Sequence, residues 1–332
     1  MFPLPKFKSL LKNELSDFLA VRKETVTGDY TYSHDCHILS HFDSYLCSIE
    51  CSDKNIKENE LNAWIKSIDG KSSTKASYVT VIRGFLKQLS NLGYRPFVPA
   101  SYKVNDDYIA YLYSEDDVTK IFDAADSLTF TSVKYPYLGV EFPVILRLLY
   151  SCGLRLGEAT QLKVGDVDFD NGTLCIKKSK NKRQRYVPMH DEMNSILHRY
   201  CLCMGNTTHK GAYVFPGTDM NHELPSFNIR NRFNILKRKV GIYDPDHEPF
   251  ERGACLHCFR HKFAFESFKQ GERQGWSSVD QIPWLSIYMG HNSLDETQKY
   301  LRFGFDMYPE AMELFDDYSD SIFPEVHFND RI

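Results

Sequence analysis

The chain has 332 residues, of which 42% are hydrophobic and 25% are charged, values typical of a soluble globular protein with two domains. Its nine cysteines are scattered and odd in number, which argues against a disulfide framework and indicates a reducing compartment. The best membrane candidate, FPVILRLLY, is too short and contains Arg147, and the N-terminus lacks a signal-peptide layout, so we expect a cytoplasmic protein.

The net charge of −4 conceals an uneven distribution along the chain. After Arg302 there are eight acidic residues and one basic residue, so residues 1–302 carry a net charge of +3. Two runs within them, KKSKNKRQR (177–185) and RNRFNILKRK (230–239), are strongly basic. Because charge runs usually form solvated faces, they are weak evidence for nucleic-acid binding when taken alone.

Residues 1–95 have the apolar spacing of amphipathic helices, and we predict a helical domain there. His34, His37 and His41 share one helical face, which we interpret as a polar face and not as a metal site. Pro96 and Pro99 then interrupt the helical pattern, which predicts a linker over residues 96–113.

A second domain is predicted over residues 114–315, beginning with a capping box formed by Ser114 and Asp117. After a helix pair that turns at Gly153, the segment 166–189 has strand character and a DNG turn at residues 170–172. The basic run 177–185 therefore lies at the tip of a β-hairpin. The remainder is predicted to be mainly helical, with a polar loop around residues 271–279 and an acidic tail over 316–332.

Three stretches carry side chains suited to chemistry. Arg155 and Glu158 lie three residues apart, and in isolation a helix salt bridge is their simplest interpretation. His257 and Arg260 have the same spacing in the otherwise apolar LHCFRHKFAF, where an arginine requires an anion or an internal ion pair. The third stretch, YMGHNSLDETQKYLR, contains His291 and Tyr300, nine residues apart.

Taken together, these side chains indicate phosphoryl chemistry on a phosphodiester. Two guanidiniums suit its nonbridging oxygens, a lysine on a flexible hairpin tip can protonate a departing 5′-oxygen, and a tyrosine is a competent nucleophile at phosphorus. No carboxylate cluster suited to Mg²⁺ is evident, so we expect neither a metal nor another cofactor.

These stretches resemble the tyrosine recombinase (phage integrase) family. GLRLGEATQLKVGDVDF resembles its first arginine box, LHCFRHKFA its His-x-x-Arg-His box, and MGHNSLDETQKYL its Gly-His motif followed by the nucleophile. The resemblance covers about residues 114–302. It implies a mainly α fold with a small β-hairpin sheet, in which a helical, SAM-like core-binding domain and an α/β catalytic domain form a C-shaped DNA clamp.

The resemblance also implies a role for each matched residue. Tyr300 attacks the scissile phosphate and forms a 3′-phosphotyrosyl link, while Arg155 and Arg260 clamp that phosphate. His257 handles the tyrosine proton, His291 donates to a nonbridging oxygen, and Glu158 orients its neighbours. The general acid is a hairpin lysine: Lys180 is favoured because it lies eight residues before Pro188, as in several family members, and Lys178 is the second choice.

The implied partner is double-stranded DNA with inverted core sites, bound by a homotetramer on two duplexes that is a monomer or dimer before synapsis. The extended spacing between Arg260 and His291, with the KYLRFGFDMYPE continuation, favours an integrase of a mobile element. The apolar residues of the tail are expected to dock on a neighbouring protomer or on their own subunit. The residues expected to contact DNA are Lys177, Lys178, Lys182, Arg183, Arg185, Arg230, Arg232, Lys237, Arg238 and Lys239.

Two alternatives to a recombinase stay open at this point. One is a catalytically idle DNA-binding or architectural protein with the same fold, and the other is a topoisomerase-like or telomere-resolving enzyme. The pair Cys255 and Cys258 forms a CxxC motif, for which idle thiols are a better interpretation than zinc because no second pair has ligand-type spacing.

Overall fold

The computed structural model describes residues 5–25, 29–104, 111–128, 132–177, 184–242, 253–291 and 293–298. Its chain divides into two compact units, Met1–Tyr108 and Ile109–Ile332. The division falls inside residues 96–113, the segment predicted as a linker. All of the candidate site residues belong to the second unit.

The first unit is helical in its described part and has a core of its own. Its helices are α1 (Lys12–Thr25), α2 (Asp29–Ser48), α3 (Glu58–Ser67) and α4 (Ser72–Asn91). Trp64 is fully buried between them, and its indole N–H donates to Nδ1 of His41 at 3.0 Å. His34, His37 and His41, on the face of α2 that was predicted to be polar, pack edge-on against Tyr78.

The second unit combines helices with one small sheet, so the predicted mainly α fold with a hairpin sheet is confirmed. Its helices are α5 (Glu115–Ser127), α6 (Leu138–Cys152), α7 (Leu156–Thr160), α8 (Asp191–Cys203), α9 (Ser226–Lys239), α10 (His257–Arg273), α11 (Ser278–Met289) and α12 (Leu294–Gln298). Its strands are β1 (Val167–Asp168), β2 (Thr173–Ile176) and β3 (Arg185–Pro188), antiparallel and in the order β1-β2-β3.

Local signals in the sequence placed the hairpin and the first helix of this unit correctly. In β2 and β3, Leu174 pairs with Val187, and both side chains are buried in the main core. At the start of α5, the Ser114 hydroxyl accepts from the backbone N–H of Asp117, and the Asp117 carboxylate accepts from that of Ser114, which forms the predicted capping box.

The polar loop expected around residues 271–279 is shorter than predicted, because α10 continues through Arg273 and α11 begins at Ser278. Gly271 lies inside α10, where it permits close packing instead of a turn. A Cβ atom at this position would lie 2.1 Å from Oε1 of Gln281 on α11. The glycine thus allows α10 and α11 to pack closely. His257 and Arg260 belong to α10, and α11 ends two residues before His291.

Gly153 fixes the entry to the first arginine stretch. It caps α6 in the left-handed conformation, with a φ of +59°, and a Cβ atom there would lie 2.5 Å from the Phe263 ring. The end of α6 therefore lies directly on α10, and Arg155 follows two residues later. Within the part of the chain that the structure describes, no helix is both long and apolar enough to cross a membrane.

Candidate active site

Two arginines from different elements meet at the C-terminal end of α11. Arg260, on α10, donates to the Met289 carbonyl at 2.5 Å and to the Gly153 carbonyl at 2.7 Å. Arg155, which precedes α7, donates to the carbonyls of Met289 and Gly290, both at 3.4 Å. The last carbonyls of a helix lack partners within the helix and carry partial negative charge, so they attract guanidiniums. The two arginines thus share one carbonyl oxygen.

Glu158 holds a third arginine beside them. Both of its oxygens accept from the Arg185 guanidinium, at 2.9 and 2.8 Å, and one also accepts from Nη1 of Arg155 at 3.1 Å. Nε of Arg185 donates to the carbonyl of Tyr288 on the last turn of α11, at 2.8 Å. The single carboxylate therefore lies between two guanidiniums and offsets part of their mutual repulsion.

The environment of Glu158 favours its ionised form. Burial raises the pKa of this carboxyl, but the hydrogen bonds and charge of Arg185, together with the backbone N–H and charge of Arg155, outweigh burial and lower the pKa to about 2. Glu158 is therefore a carboxylate throughout the physiological pH range.

His291 lies next to Arg260 and is held on both ring nitrogens. Nη2 of Arg260 is 3.1 Å from Nε2 of His291, and Nδ1 is 2.7 Å from the Thr297 hydroxyl on α12. Because arginine only donates, Nε2 accepts in this arrangement and Nδ1 carries the proton of the neutral ring. Burial and the neighbouring arginines, Arg260 first, lower the pKa of His291 to about 3.

His257 is the first residue of α10 and is exposed, one helical turn before the buried Arg260. Its ring contacts that of His261 edge-on, with the ring centres 4.8 Å apart. Burial and the proximity of His257 lower the pKa of His261 to about 3. The exposed imidazole of His257 thus lies at the start of α10. One turn further on, Arg260 meets Arg155 and the neutral imidazole of His291 at the end of α11.

The described basic residues occupy different environments. Lys177 is exposed and forms an ion pair with Asp166, while Lys237 donates to the Ala254 carbonyl. The Arg185 side chain is only 9% exposed and forms an ion pair with Glu158, so this cation has a contact within the unit, and its DNA contact stays a prediction. Exposed basic side chains line α9, namely Arg230, Arg238 and Lys239, and Arg232 on the same helix is partly exposed.

Other predicted residues lie outside the described part of the chain. These are Tyr300, Lys178, Lys180, Lys182, Arg183 and the tail 316–332. Among the described residues, no group of three or more His, Cys, Asp or Glu has the arrangement of a metal site.

Sequence reasoning missed two contributors to the site. Arg185 looked like one more cation of a hairpin tip, and only the closure of β3 against α11 shows its pairing with Glu158. Thr297 gave no signal at all, since a threonine in a short polar helix is ordinary. A hint for Arg185 was available in the strand alternation, which places it on the face of the buried Val187.

Sequence comparisons relate this chain to DNA recombinases. The model of the phage integrase family matches residues 112–305. A protein of Sinorhizobium fredii that carries an integrase/recombinase name is 28% identical over 256 residues, 72% of this chain and 76% of that protein. The tyrosine recombinase XerC of Oceanobacillus iheyensis is 25% identical over 309 residues, 89% of this chain and 92% of that protein.

Solved structures share the fold. The site-specific recombinase XerH, bound to its palindromic difH substrate after cleavage, aligns with a TM-score of 0.69 and 16% identity over 95% of this chain and 99% of that one. A lambda integrase dimer bound to a core site aligns with a TM-score of 0.65 and 15% identity, over 89% of this chain and 77% of that one.

We expect Glu158→Gln to destabilise the second unit by about 3 kcal/mol at pH 7, because Arg185 is left buried beside a neutral amide. The folded pKa of Glu158 lies below its ordinary value of 4.5, so its contribution to stability is complete above pH 4.5 and is lost as the pH falls towards 2. Urea unfolding of both proteins between pH 7 and 3 measures this difference.

The matched control is Asp126→Asn, which breaks the more exposed ion pair with Arg147. It should change the free energy of unfolding by at most about 1 kcal/mol. Equal effects of the two substitutions would contradict a central role for Glu158.

Proposed function

This chain belongs to the phage integrase family of tyrosine recombinases and is a site-specific recombinase, and from that premise we propose that it cuts and rejoins DNA through a 3′-phosphotyrosyl intermediate on Tyr300. The observation that carries the proposal is the meeting of Arg155, Arg260 and His291 at the end of α11.

The two guanidiniums are suited to one phosphodiester. Both donate to the Met289 carbonyl oxygen, so their donors converge on one small region of space. Guanidiniums bind phosphate oxygens through charge-assisted hydrogen bonds and stabilise the charge that develops as phosphorus becomes five-coordinate. Because the bond energy of the phosphodiester is retained in the phosphotyrosine, cleavage and religation proceed without ATP.

The two histidines divide the proton chemistry. His257 is exposed at the start of α10, where it accepts the tyrosine proton during attack and returns it during religation. His291 donates from Nε2 to a nonbridging oxygen, which requires its proton to move from Nδ1 to Nε2. The Thr297 hydroxyl supports this change, because a hydroxyl can accept from Nδ1 in one tautomer and donate to it in the other.

The segment before Tyr300 is tied to the site by the same threonine. Thr297 is fully buried and lies three residues before Tyr300, and covalent geometry limits the separation of their Cα atoms to about 11 Å. We propose that Tyr300 reaches the phosphate held by Arg155 and Arg260, and that Lys180 on the hairpin protonates the leaving 5′-oxygen, with Lys178 as the alternative.

The decisive experiment uses a DNA core site with a nick close to the cleavage position, so that the released fragment diffuses away and the covalent adduct accumulates. We expect a protein–DNA adduct that resists denaturation and is absent with Tyr300→Phe. The control is Tyr186→Phe, which removes the hydroxyl of an exposed tyrosine on β3.

The same assay separates the alternatives. Site-specific binding without an adduct in the unmodified protein would contradict the proposal and favour an architectural protein. A covalent adduct together with relaxation of single supercoiled circles, but without exchange between two sites, would favour a topoisomerase-like or telomere-resolving enzyme.

We expect Thr297→Val to slow adduct formation about tenfold, because the isosteric side chain removes one hydrogen bond from His291 without changing its volume greatly. Thr297→Ser keeps the hydroxyl and should retain most of the rate of adduct formation. The rate constant on the nicked substrate measures the effect, and a slow Ser variant with a fast Val variant would show that the hydrogen bond is not the cause.

The partner that we propose is duplex DNA with inverted core sites, bound by four protomers on two duplexes during strand exchange. Exposed cations line α9, where we propose that they contact DNA phosphates, and Trp284 and Ile287 form an apolar patch on α11. We propose that this patch accepts the apolar residues of a neighbouring protomer's tail, and that the protein integrates or excises a mobile element. Repeats in the DNA that flanks the gene would identify such an element.

We expect Ile287→Glu to reduce tetramer formation on a pair of core sites at least tenfold while leaving adduct formation on single nicked sites unchanged. Val279→Glu is the matched control, because Val279 is about as exposed but is directed about 80° away from Ile287 and about 140° away from Trp284 around the helix. Size-exclusion chromatography with light scattering on DNA complexes measures the assembly. An equal loss in both variants would assign the effect to charge instead of to the patch.

A further inference from the structure

Two cysteines enclose His257 at the start of α10. Cys255 lies two residues before the histidine and is partly exposed, and Cys258 follows it directly and is fully buried. Their sulfur atoms are 3.5 Å apart, and the backbone N–H of Cys258 donates to the carbonyl of Cys255 at 2.9 Å. This turn lies within the catalytic stretch, one helical turn from Arg260.

The backbone of this turn is compatible with a disulfide. Residues that close a four-residue turn have Cα atoms within about 7 Å of each other, and disulfides span Cα separations of roughly 4.4 to 6.8 Å. The sulfur atoms are already in van der Waals contact. Side-chain rotation and a small adjustment of the turn therefore bring them to the bonding distance of about 2.05 Å.

The surroundings of Cys255 favour its thiolate. A hydrogen bond from Cys258 outweighs the effect of burial and, with the backbone N–H groups of His257 and Cys258 and the charge of Lys237, lowers the pKa of Cys255 to about 6. The thiolate at the start of a helix is the form that reacts with oxidants. Cys258 is adjacent, as a resolving cysteine must be, and its thiol proton passes to the departing hydroxyl when it attacks.

We propose that Cys255 and Cys258 form a reversible disulfide that displaces His257 and thereby slows strand cleavage. In the first step the Cys255 thiolate attacks a peroxide, which is reduced to water as the sulfur becomes a sulfenic acid. The Cys258 thiol then attacks that sulfur, forms the disulfide and releases a second water. Two electrons pass from the thiols to the peroxide, and a dithiol reductant returns them.

The disulfide acts on the catalytic residue because its surroundings are fixed. The Cys255 carbonyl accepts from the Tyr113 hydroxyl at 2.9 Å, and the neighbouring Ala254 carbonyl accepts from the Lys237 amino group. Because these two carbonyls are held, the backbone between Cys255 and Cys258 must move when the sulfur atoms approach each other. His257 lies in this part of the backbone and moves with it. A displacement of about 1 Å in a catalytic group can cost roughly 100-fold in rate.

The chemical part of the proposal is tested on the full chain by peptide mapping. Trypsin releases Gly253–Arg260, a peptide that contains Cys255 and Cys258 and no other cysteine. After treatment with hydrogen peroxide we expect this peptide to have lost two hydrogen atoms and to resist alkylation until it is reduced. Two alkylatable thiols after peroxide treatment would overturn the proposal, whether or not the protein cleaves DNA.

The effect on cleavage, which rests on the proposed function, is measured with the nicked core site. We expect oxidation to slow adduct formation at least tenfold, with recovery after dithiothreitol, and we expect Cys255→Ser and Cys258→Ala to be insensitive to peroxide. A double variant of the exposed cysteines, Cys47→Ser with Cys203→Ser, should respond as the unmodified protein does.

An unchanged rate in a protein whose peptide carries the disulfide would overturn the proposal. If the reduced protein forms no adduct, the proposed function fails separately. The imidazole resonances of His257 then decide the redox proposal, because they should shift on oxidation and return on reduction, and an unshifted spectrum would overturn it.

Discussion

The constraint on which the site depends is the gathering of three guanidiniums in a small volume. Arg155, Arg185 and Arg260 all donate to carbonyl oxygens at the end of α11. Like charges at this separation repel, and the structure offsets the repulsion with one ionised carboxylate, Glu158, and the negative end of a helix dipole. The remaining positive charge costs stability, and a phosphodiester bound as we propose would neutralise it.

The architecture of the second unit places helix ends at this point. Gly153 ends α6 against the Phe263 ring on α10, and its carbonyl accepts from Arg260. Gly271 allows α11 to pack closely on α10, so that the Met289 carbonyl reaches the same guanidinium. Arg260 is almost fully buried, and its guanidinium connects α10 to the ends of α6 and α11. The same side chain therefore stabilises the packing of these helices and forms part of the candidate site.

The sequence predicted those parts of the molecule that local rules determine. The capping box at Ser114, the hairpin of β2 and β3, and the helical first unit follow from turn chemistry and apolar periodicity. The arginine and histidine stretches were recognisable because their order and spacing resemble one family. By contrast, the role of Gly271 was assigned to a loop, since a glycine in a polar segment gives the same signal for a turn as for close helix packing.

Long-range contacts explain why other features could not be predicted. Arg185 lies in a run of cations and reads as one more DNA contact, yet it bonds residues 27 and 103 positions away in the chain, Glu158 and Tyr288. Thr297 becomes meaningful only because α12 places its hydroxyl on His291. Neither partner can be identified from spacing, because each bond depends on how separate elements close around α11.

Hydrogen-bond lengths and burial distinguish the two arginines that we propose to bind the phosphate. Arg260 is almost fully buried and makes bonds of 2.5 and 2.7 Å to carbonyls, whereas the Arg155 side chain is 23% exposed and its carbonyl bonds are both 3.4 Å long. Bonds beyond about 3.2 Å contribute little, so Arg155 loses little when it turns its donors towards a ligand. Arg260 cannot leave its carbonyls without opening the contact between α6, α10 and α11. In the proposed mechanism, Arg155 is therefore the arginine that can adapt to the substrate, and Arg260 is the fixed arginine against which the phosphate is positioned.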